Sequence, residues 1–335
     1  MGIELAVIWF GIIIFATLMY ITMDGFDLGI GILMPLVRDK DDRDLMVNTV
    51  APVWDGNETW LVLGGAGLFG AFPLAYAVIV DALTIPLSIM LIALIFRGVA
   101  FEFRFKALPN HRAFWDKAFI IGSIVATFCQ GVTVGAVIQG FPVVGRSFAG
   151  GAFDWLTPFT LFCGLGLVVT YALLGATWLI KKTEGDLQRR MYQATTPLLA
   201  AFAIAMVVVS LWTPLAYPQI AERWFSLPNL YFLAPVPLLS LFCLWRITTA
   251  VKRGGQTSPF VMALLLTFLG FSGLGISLWP NIIPPEISIW EAAAPPQSLG
   301  FMLVGALFII PFILVYTYWS YYVFSGKVKA GEAYH

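Results

Sequence analysis

The sequence predicts an all-α membrane protein with about nine transmembrane helices. Three observations lead to this prediction: hydrophobic residues make up 59% of the 335 residues, charged residues only 11%, and the mean hydropathy is +0.86. Soluble domains carry roughly 25% charged residues, so this chain has too few charges to cover a surface that faces water. A soluble enzyme, a disordered chain and a secreted disulfide-rich domain are therefore excluded.

Apolar runs separated by charges and turn residues predict the nine spans. A helix that crosses a bilayer needs about 20 apolar residues, and only a short turn near Tyr76–Asp81 separates the second span from the third. The two-residue period of an outer-membrane barrel and an internal repeat are both absent, so we expect one membrane domain over residues 1–335. The predicted spans are Leu5–Met23, Glu58–Ala77, Val78–Phe101, Ala118–Gly140, Leu156–Ile180, Thr195–Tyr217, Tyr231–Ala250, Phe260–Trp279 and Leu299–Phe324.

Basic residues predict how the spans are oriented. In and beside the connections that follow odd-numbered spans there are 17 Lys and Arg, whereas those after even-numbered spans hold 2, Arg146 and Arg223. Because positive charge stays on the cytoplasmic side, we expect the N-terminus outside and the C-terminus in the cytoplasm. Positive and negative charges balance at 19 each, which gives no indication of a nucleic-acid partner.

The predicted spans contain no histidine. His111 lies in a cytoplasmic connection and His335 is the last residue. A b-type haem in a membrane bundle takes axial His or Met, so ligation by two histidines inside this chain is excluded. Methionines at ordinary spacing in apolar helices are typical packing residues, and no group of His, Cys, Asp and Glu has metal-ligand spacing. We expect any redox metal to be held by another subunit.

One short motif has two interpretations. The segment Gly65-Ala66-Gly67-Leu68-Phe69-Gly70 fits the G-x-G-x-x-G pattern of dinucleotide-binding proteins. That pattern requires a preceding strand and a following helix, whereas here it lies inside an apolar membrane run. Small residues that let neighbouring helices approach closely are the favoured interpretation.

Acidic residues gather at one depth, near the predicted cytoplasmic ends of the first two spans. Asp24 and Asp27 end the first span, and Asp55 and Glu58 begin the second. Ionisable groups at membrane depth are costly and indicate an ion or proton route. Arg97, near the inner end of the third span, either extends to the interface or pairs with one of these carboxylates.

Helix capping is the competing interpretation of these acids. Asp55 and Glu58 have the spacing of a capping box, and Gly25 and Gly29 can end the first helix. The sequence leaves two alternatives open: capping alone, or capping together with a proton or interface role. Replacing Asp55 and Asp27 with Asn would separate them.

Several separate motifs occur in order along the chain, and together they resemble subunit II of the cytochrome bd family of quinol oxidases. The resemblance covers essentially the whole length, and the compact length with Asn57-Glu58-Thr59-Trp60 is similar to the cyanide-insensitive branch. The motifs are Asp24-Gly25-Phe26-Asp27-Leu28-Gly29, residues 48–61 (NTVAPVWDGNETWL), residues 96–104 (FRGVAFEFR), Gln139-Gly140, Ser288-Ile289-Trp290-Glu291-Ala292-Ala293 and Tyr316-Thr317-Tyr318-Trp319.

The resemblance implies a heterodimer in the bacterial cytoplasmic membrane. A related nine-helix subunit I would carry haems of b and d type and the site where quinol is oxidised, and the complex would reduce oxygen to water with protons from the cytoplasm. This chain would bind no haem or metal and would hold no catalytic residue. It would support subunit I and contribute part of a proton path or oxygen access. Lipid, quinone and a small single-helix subunit are further expected partners.

The resemblance also implies roles for particular residues. Those expected in a proton path or at the subunit interface are Asp24, Asp27, Asp55, Glu58 and Arg97, with Trp54, Asn57 and Trp60 shaping their surroundings. Gly64, Gly65, Gly67 and Gly70 either border an oxygen route or pack helices together. The alternatives are a purely structural membrane partner and a proton-coupled secondary transporter. A transporter predicts polar groups from several helices meeting near the midplane, where we expect these spans to be almost uniformly apolar.

Overall fold

The computed structural model describes residues 4–329 and is almost entirely helical within them. Its α-helices are α1 (Leu5–Leu33), α2 (Lys40–Asn48), α3 (Trp54–Ala71), α4 (Pro73–Ala82), α5 (Thr84–Lys106), α6 (Pro109–Gln139), α7 (Pro158–Lys182), α8 (Gly185–Ala216), α9 (Pro218–Phe225), α10 (Asn229–Leu233), α11 (Pro235–Lys252), α12 (Ser258–Leu278), α13 (Ile289–Ala292) and α14 (Pro296–Val323). Two short antiparallel hairpins pair β1 (Val143–Val144) with β2 (Ser147–Phe148) and β3 (Asn281–Ile283) with β4 (Ile287–Ser288).

The structure confirms a polytopic helical membrane protein. Within residues 4–329, eight helical segments are long and apolar enough to cross a membrane. The pair α3 and α4 passes the same test together but is bent by 119°, and the number rises to nine if this pair is one span. The predicted turn near Tyr76–Asp81 is wrong, because these residues lie inside α4 and the breaks fall at Phe72 and Leu83. Pro73 begins α4, where its missing N–H costs nothing. The orientation and the single domain over residues 1–335 stay predictions.

The first helix is longer than predicted. α1 continues through Asp24 and Asp27 to Leu33, so the prediction that Gly25 and Gly29 end it is wrong. Gly29 instead lets α7 approach, since a Cβ atom there would lie 2.0 Å from the Tyr171 carbonyl oxygen and 2.9 Å from the Gly175 nitrogen. A helix keeps its backbone hydrogen bonds satisfied at membrane depth, which favours continuation over an early end.

Glycines bring α5, α6 and α7 together in the same way. A Cβ atom on Gly122 of α6 would lie 2.7 Å from the Ala93 carbonyl oxygen of α5. One on Gly131 would lie 2.6 Å from the Cys163 carbonyl oxygen of α7. Small residues at helix crossings permit this close backbone packing in membranes. The resulting bundle of α1, α5, α6 and α7 sets α1 carboxylates against the arginine of α5.

Candidate functional site

Arg97 of α5 joins two helices through a buried ion cluster. Its Nη2 lies 2.9 Å from Asp24 Oδ1, and its Nη1 lies 2.6 Å from Glu58 Oε1. Asp27 Oδ2 is 3.9 Å from Nη2. The side chains of Arg97, Asp24 and Asp27 are 0% exposed and that of Glu58 is 25% exposed. Arg97 therefore pairs with carboxylates from α1 and α3 and does not extend to the interface.

A stacked pair of aromatic rings lies beside the guanidinium of Arg97. Trp54 and Phe101 stack with ring centroids 4.7 Å apart and an interplanar angle of 7°. The Arg97 Cζ atom lies 5.7 Å from the Trp54 centroid and 5.1 Å from the Phe101 centroid, within the range of cation–π contacts. Trp54 thus lines the cluster, as the resemblance implies, and Phe101 joins it.

Asn57 connects the cluster to the last long helix. Its Nδ2 donates to Asp27 Oδ2 at 2.7 Å, and its Oδ1 accepts from the Tyr321 hydroxyl of α14 at 2.9 Å. These two bonds fix which end of the amide faces Asp27. Trp60 is also fully buried, but it packs edge-on against Phe15 with centroids 5.7 Å apart. Trp60 therefore belongs to the packing of α1 against α3.

Asp55 lies outside the cluster. Its side chain is exposed on α3, while Glu58 turns inward to Arg97. The N-cap of α3 is Val53, with no side-chain cap bond. The capping-box interpretation of Asp55 and Glu58 is therefore wrong, because Glu58 is engaged by Arg97 instead of by the helix start.

The cluster holds more negative than positive groups. Three carboxylates face one guanidinium, and unbalanced charge at membrane depth is costly. Asp24 Oδ2, Asp27 Oδ1 and Arg97 Nε have no hydrogen-bond partner among residues 4–329. A proton added to one carboxylate brings the group closer to neutrality, and unpaired carboxylate oxygens are where such a proton can bind. The arrangement is chemically suited to taking up and releasing protons.

A second set of polar residues lies beside the cluster and is missing from the sequence-based prediction. Tyr20 of α1, Gln130 of α6 and Tyr171 of α7 are buried and hydrogen-bonded to one another. The expectation of almost uniformly apolar spans is wrong at this point. A single amide in an apolar span is energetically costly. Gln130 in the sequence could therefore have indicated a polar contact at this position.

The connected ends of α5 and α6 carry a further ion network that the sequence did not reveal. Arg104, which is buried, contacts Asp116 of α6 through Nε at 2.5 Å and Asp44 of α2 through Nη1 at 2.7 Å. Arg43 lies 3.2 Å from Asp116, and Arg112 pairs with Asp44. These contacts tie α2 to the α5–α6 hairpin. From the sequence, Arg104 and Arg112 count only as inside-positive residues.

The described interior contains no histidine that could ligate a haem. His111 is exposed near the start of α6, and His335 lies outside the described residues. Met90, which is buried, is part of the apolar core. Within residues 4–329 no group of three or more His, Cys, Asp and Glu side chains could hold a metal ion.

The glycine motif lies inside helix α3, with no strand before it among the described residues. Cβ atoms on Gly67 and Gly70 would lie 3.2 Å from Ile13 Cγ1 and 2.6 Å from Met302 Sδ, and one on Gly64 would lie 3.7 Å from Thr17 Oγ1. Gly65 has no atom within 4 Å of its Cβ position. Gly64, Gly67 and Gly70 therefore pack α3 against α1 and α14, as the helix-packing interpretation predicted. Gly65 faces outward, which that interpretation did not predict.

These features define a multi-pass membrane protein with an ionisable site in its helical interior. The family model described as cytochrome bd terminal oxidase subunit II matches residues 5–324. The chain belongs to this family. It is a subunit of a terminal oxidase complex of the bacterial inner membrane, which confirms the resemblance and favours an oxidase over a transporter.

Individual relatives and a solved structure agree with the family match. The "Probable cytochrome oxidase subunit 2" of Haemophilus influenzae is 29% identical over 366 residues, covering 96% of this chain and 95% of the relative. The "Cytochrome bd-I ubiquinol oxidase subunit 2" of Escherichia coli is 28% identical, covering 96% and 94%. A chain of the bd oxidase structure from Geobacillus thermodenitrificans superposes with a TM-score of 0.81, covering 96% of this chain and 99% of that one at 16% identity. The last comparison shows the same fold.

Proposed function

We propose that this chain is the haem-free subunit II of a quinol-oxidising complex and that its buried cluster passes cytoplasmic protons toward the oxygen-reducing centre. The b and d haems would lie in the partner subunit I. Oxygen reduction to water consumes protons as well as electrons, and quinol supplies the electrons. The observation that carries the proposal is that Asp24, Asp27 and Glu58 share one cation among the described residues, Arg97, in the helical interior.

The contacts of the cluster suit a relay better than a permanent ion pair. Asp24 and Glu58 each accept a charge-assisted bond from Arg97, which is among the stronger hydrogen bonds in proteins. Asp27 is held instead by the neutral amide of Asn57 and has one oxygen without a hydrogen-bond partner among residues 4–329. The Asp27–Arg97 contact, at 3.9 Å, is the longest of the three ion pairs, so a proton on Asp27 disturbs the cluster less than a proton on Asp24 or Glu58 would. Asp27 is therefore the member we assign to proton uptake and release.

Glu58 links the cluster to the protein surface, since it is the member whose side chain is partly exposed. The outward face of α3 carries exposed residues at helical spacing: Asp55 and Thr59 near its start, then Val62, Gly65 and Phe69. A carboxylate facing lipid at this depth would be costly, and an outward glycine allows a helix of another chain to approach closely. We infer that subunit I docks on this face and covers Asp55.

The quinol is inferred from the relatives, because those of Escherichia coli and Bacillus subtilis bear the description ubiquinol oxidase subunit 2. The remaining apolar surface, including exposed Phe301, Phe308 and Phe312 of α14, suits lipid or a small single-helix subunit.

The decisive experiment replaces Asp27 with Asn in the assembled complex. The introduced amide keeps an oxygen that accepts from Asn57 Nδ2 but cannot take up and release a proton, so quinol-driven oxygen consumption should fall at least about tenfold with unchanged haem content. Asp81→Asn, at an exposed position in α4, is the matched control and should retain the parent rate. Parent-like turnover of the Asp27→Asn complex would show that the cluster is structural only.

The division of labour between subunits is tested by visible spectroscopy of the gently purified complex. Reduced-haem bands should accompany a second large subunit and disappear when that subunit is stripped away. A chain that retained a full haem complement on its own would contradict the haem-free assignment.

A further inference from the structure

Three buried polar side chains form a hydrogen-bonded chain across the bundle interior. The Tyr171 hydroxyl of α7 donates to Gln130 Oε1 of α6 at 3.2 Å, and Gln130 Nε2 donates to the Tyr20 hydroxyl oxygen of α1 at 2.7 Å. The three residues are 0%, 8% and 4% exposed. Burying polar groups from three helices costs free energy that burying phenylalanine or leucine at the same positions would not. These three hydrogen-bonded residues therefore indicate a specific role.

The amide of Gln130 fixes which groups donate and which accept in these two hydrogen bonds. An amide nitrogen can only donate, so the oxygen of Tyr20 is an acceptor toward Gln130 and its own proton points elsewhere. Tyr20 precedes Asp24 by one helical turn, which places both on one side of α1. Asp24 Oδ2 makes no direct hydrogen bond within residues 4–329.

We propose that Tyr20 is a positioning residue for Asp24, aimed by Gln130 and Tyr171 so that its hydroxyl proton faces Asp24 Oδ2 while Arg97 holds Oδ1. The carboxylate is then fixed between two donors, which set the pH at which Asp24 exchanges a proton. This inference rests on the proposed proton role of the cluster. It assigns to α6 and α7 a part in the relay, although neither helix contributes a carboxylate.

Other charged and titratable groups act on Asp24 from the surrounding helices, and the test must hold them constant. They are Arg97 of α5, Glu58 of α3, Asp27 of α1, Tyr171 of α7 and, through Asn57, Tyr321 of α14. Tyr20→Phe removes one hydroxyl and changes none of these groups. Gln130→Met keeps the length of the side chain and removes the amide that aims Tyr20; it also removes the acceptor of the Tyr171 hydroxyl.

The experiment measures the pH dependence of quinol-driven oxygen consumption by the assembled complex. Tyr20→Phe removes a donor to the Asp24 anion, so the profile should move to higher pH by about one unit, equal to about 1.4 kcal/mol. Gln130→Met should move it in the same direction by less, because the hydroxyl remains but is no longer aimed. Tyr192→Phe is the matched control: its hydroxyl donates to the Gly255 carbonyl at 3.1 Å, and its profile should match the parent.

The outcomes separate this inference from the proposed function. If Asp27→Asn slows turnover but neither Tyr20→Phe nor Gln130→Met moves the profile, the positioning role is wrong and the relay stands. If Asp27→Asn turns over normally, the relay itself is wrong. Should Tyr20→Phe fail to assemble, as judged by haem content, the Gln130→Met profile alone decides, and a parent-like profile overturns the proposal.

Discussion

Arg97 Nη2 and Asp24 Oδ1 lie 2.9 Å apart, and neither side chain is exposed. A buried ion pair contributes little beyond a well-packed apolar pair, but removal of one partner leaves a charge in the interior without compensation. Removing Arg97 should be especially costly in this protein, because it is the one cation among the described residues in contact with Asp24, Asp27 and Glu58.

We therefore expect Arg97→Met to lower the stability of the complex by about 3–5 kcal/mol or to prevent its assembly. Lys106→Met in the same helix is the control, because Lys106 is 76% exposed in a surface pair with Glu102 and such pairs contribute about 0–1 kcal/mol. Thermal unfolding and the yield of assembled complex measure both. Equal losses for the two variants would contradict a central role for Arg97.

The hydrogen bond from Tyr321 to Asn57 gives a second prediction. Tyr321→Phe leaves Asn57 Oδ1 without its donor, and an unpaired buried acceptor costs about 1–3 kcal/mol. The amide is then free to rotate, so Asp27 loses its fixed neighbour and oxygen consumption should fall together with stability. Tyr322→Phe, one residue further along and exposed, should change neither quantity. If Tyr321→Phe lowers stability but leaves turnover unchanged, Asn57 stabilises the fold and has no part in proton transfer.

Much of the site could be predicted from the sequence, because rare carboxylates in apolar spans stand out and their depth follows from the span boundaries. Asp24, Asp27, Glu58 and Arg97 do meet in the structure. Asp55 does not, since the rotation of α3 about its own axis decides which of two acids three residues apart turns inward, and the sequence does not determine that rotation.

The residues that the sequence missed depend on contacts between distant helices. Gln130 meets Tyr20 and Tyr171 only because α6 packs against both α1 and α7, and Tyr321 reaches Asn57 only through the placement of α14. The end of α1 was misplaced for a related reason. Glycines such as Gly25 and Gly29 are typical of helix ends in the local sequence. In the structure they instead allow α7 to pack closely against α1.

The close approach of Gly29 and Gly175 makes a third prediction. A Cβ atom on Gly29 would lie 2.0 Å from a backbone oxygen of α7, and backbone cannot move aside as a flexible side chain can. Gly29→Ala should therefore force α1 and α7 apart, displace Asp24 from Arg97 and reduce both assembly and turnover. Gly11→Ala in the same helix has no atom within 4 Å of its Cβ and should be neutral. Parent-like assembly of Gly29→Ala would show that the crossing tolerates a wider separation.

The short segment before α14 gives a prediction about pH. Glu291 of α13 accepts from the Ser288 hydroxyl at 2.7 Å and from its backbone N–H at 2.8 Å, and these bonds lower the pKa of Glu291 below its ordinary value. A carboxyl with a lowered folded pKa stabilises the fold fully above its unfolded pKa, about 4.3, and loses that contribution as pH falls through the folded value.

Glu291→Gln should accordingly lower the thermal midpoint of the complex at neutral pH, and the difference from the parent should shrink to nothing under acid conditions. Glu286→Gln, at an exposed position in the β3–β4 hairpin just before α13, controls for the loss of one surface charge. Thermal unfolding of parent and variants across a pH series tests this directly. A gap between Glu291→Gln and the parent that stays constant at all pH values would mean that the capping bonds to Ser288 do not depend on the charge of Glu291.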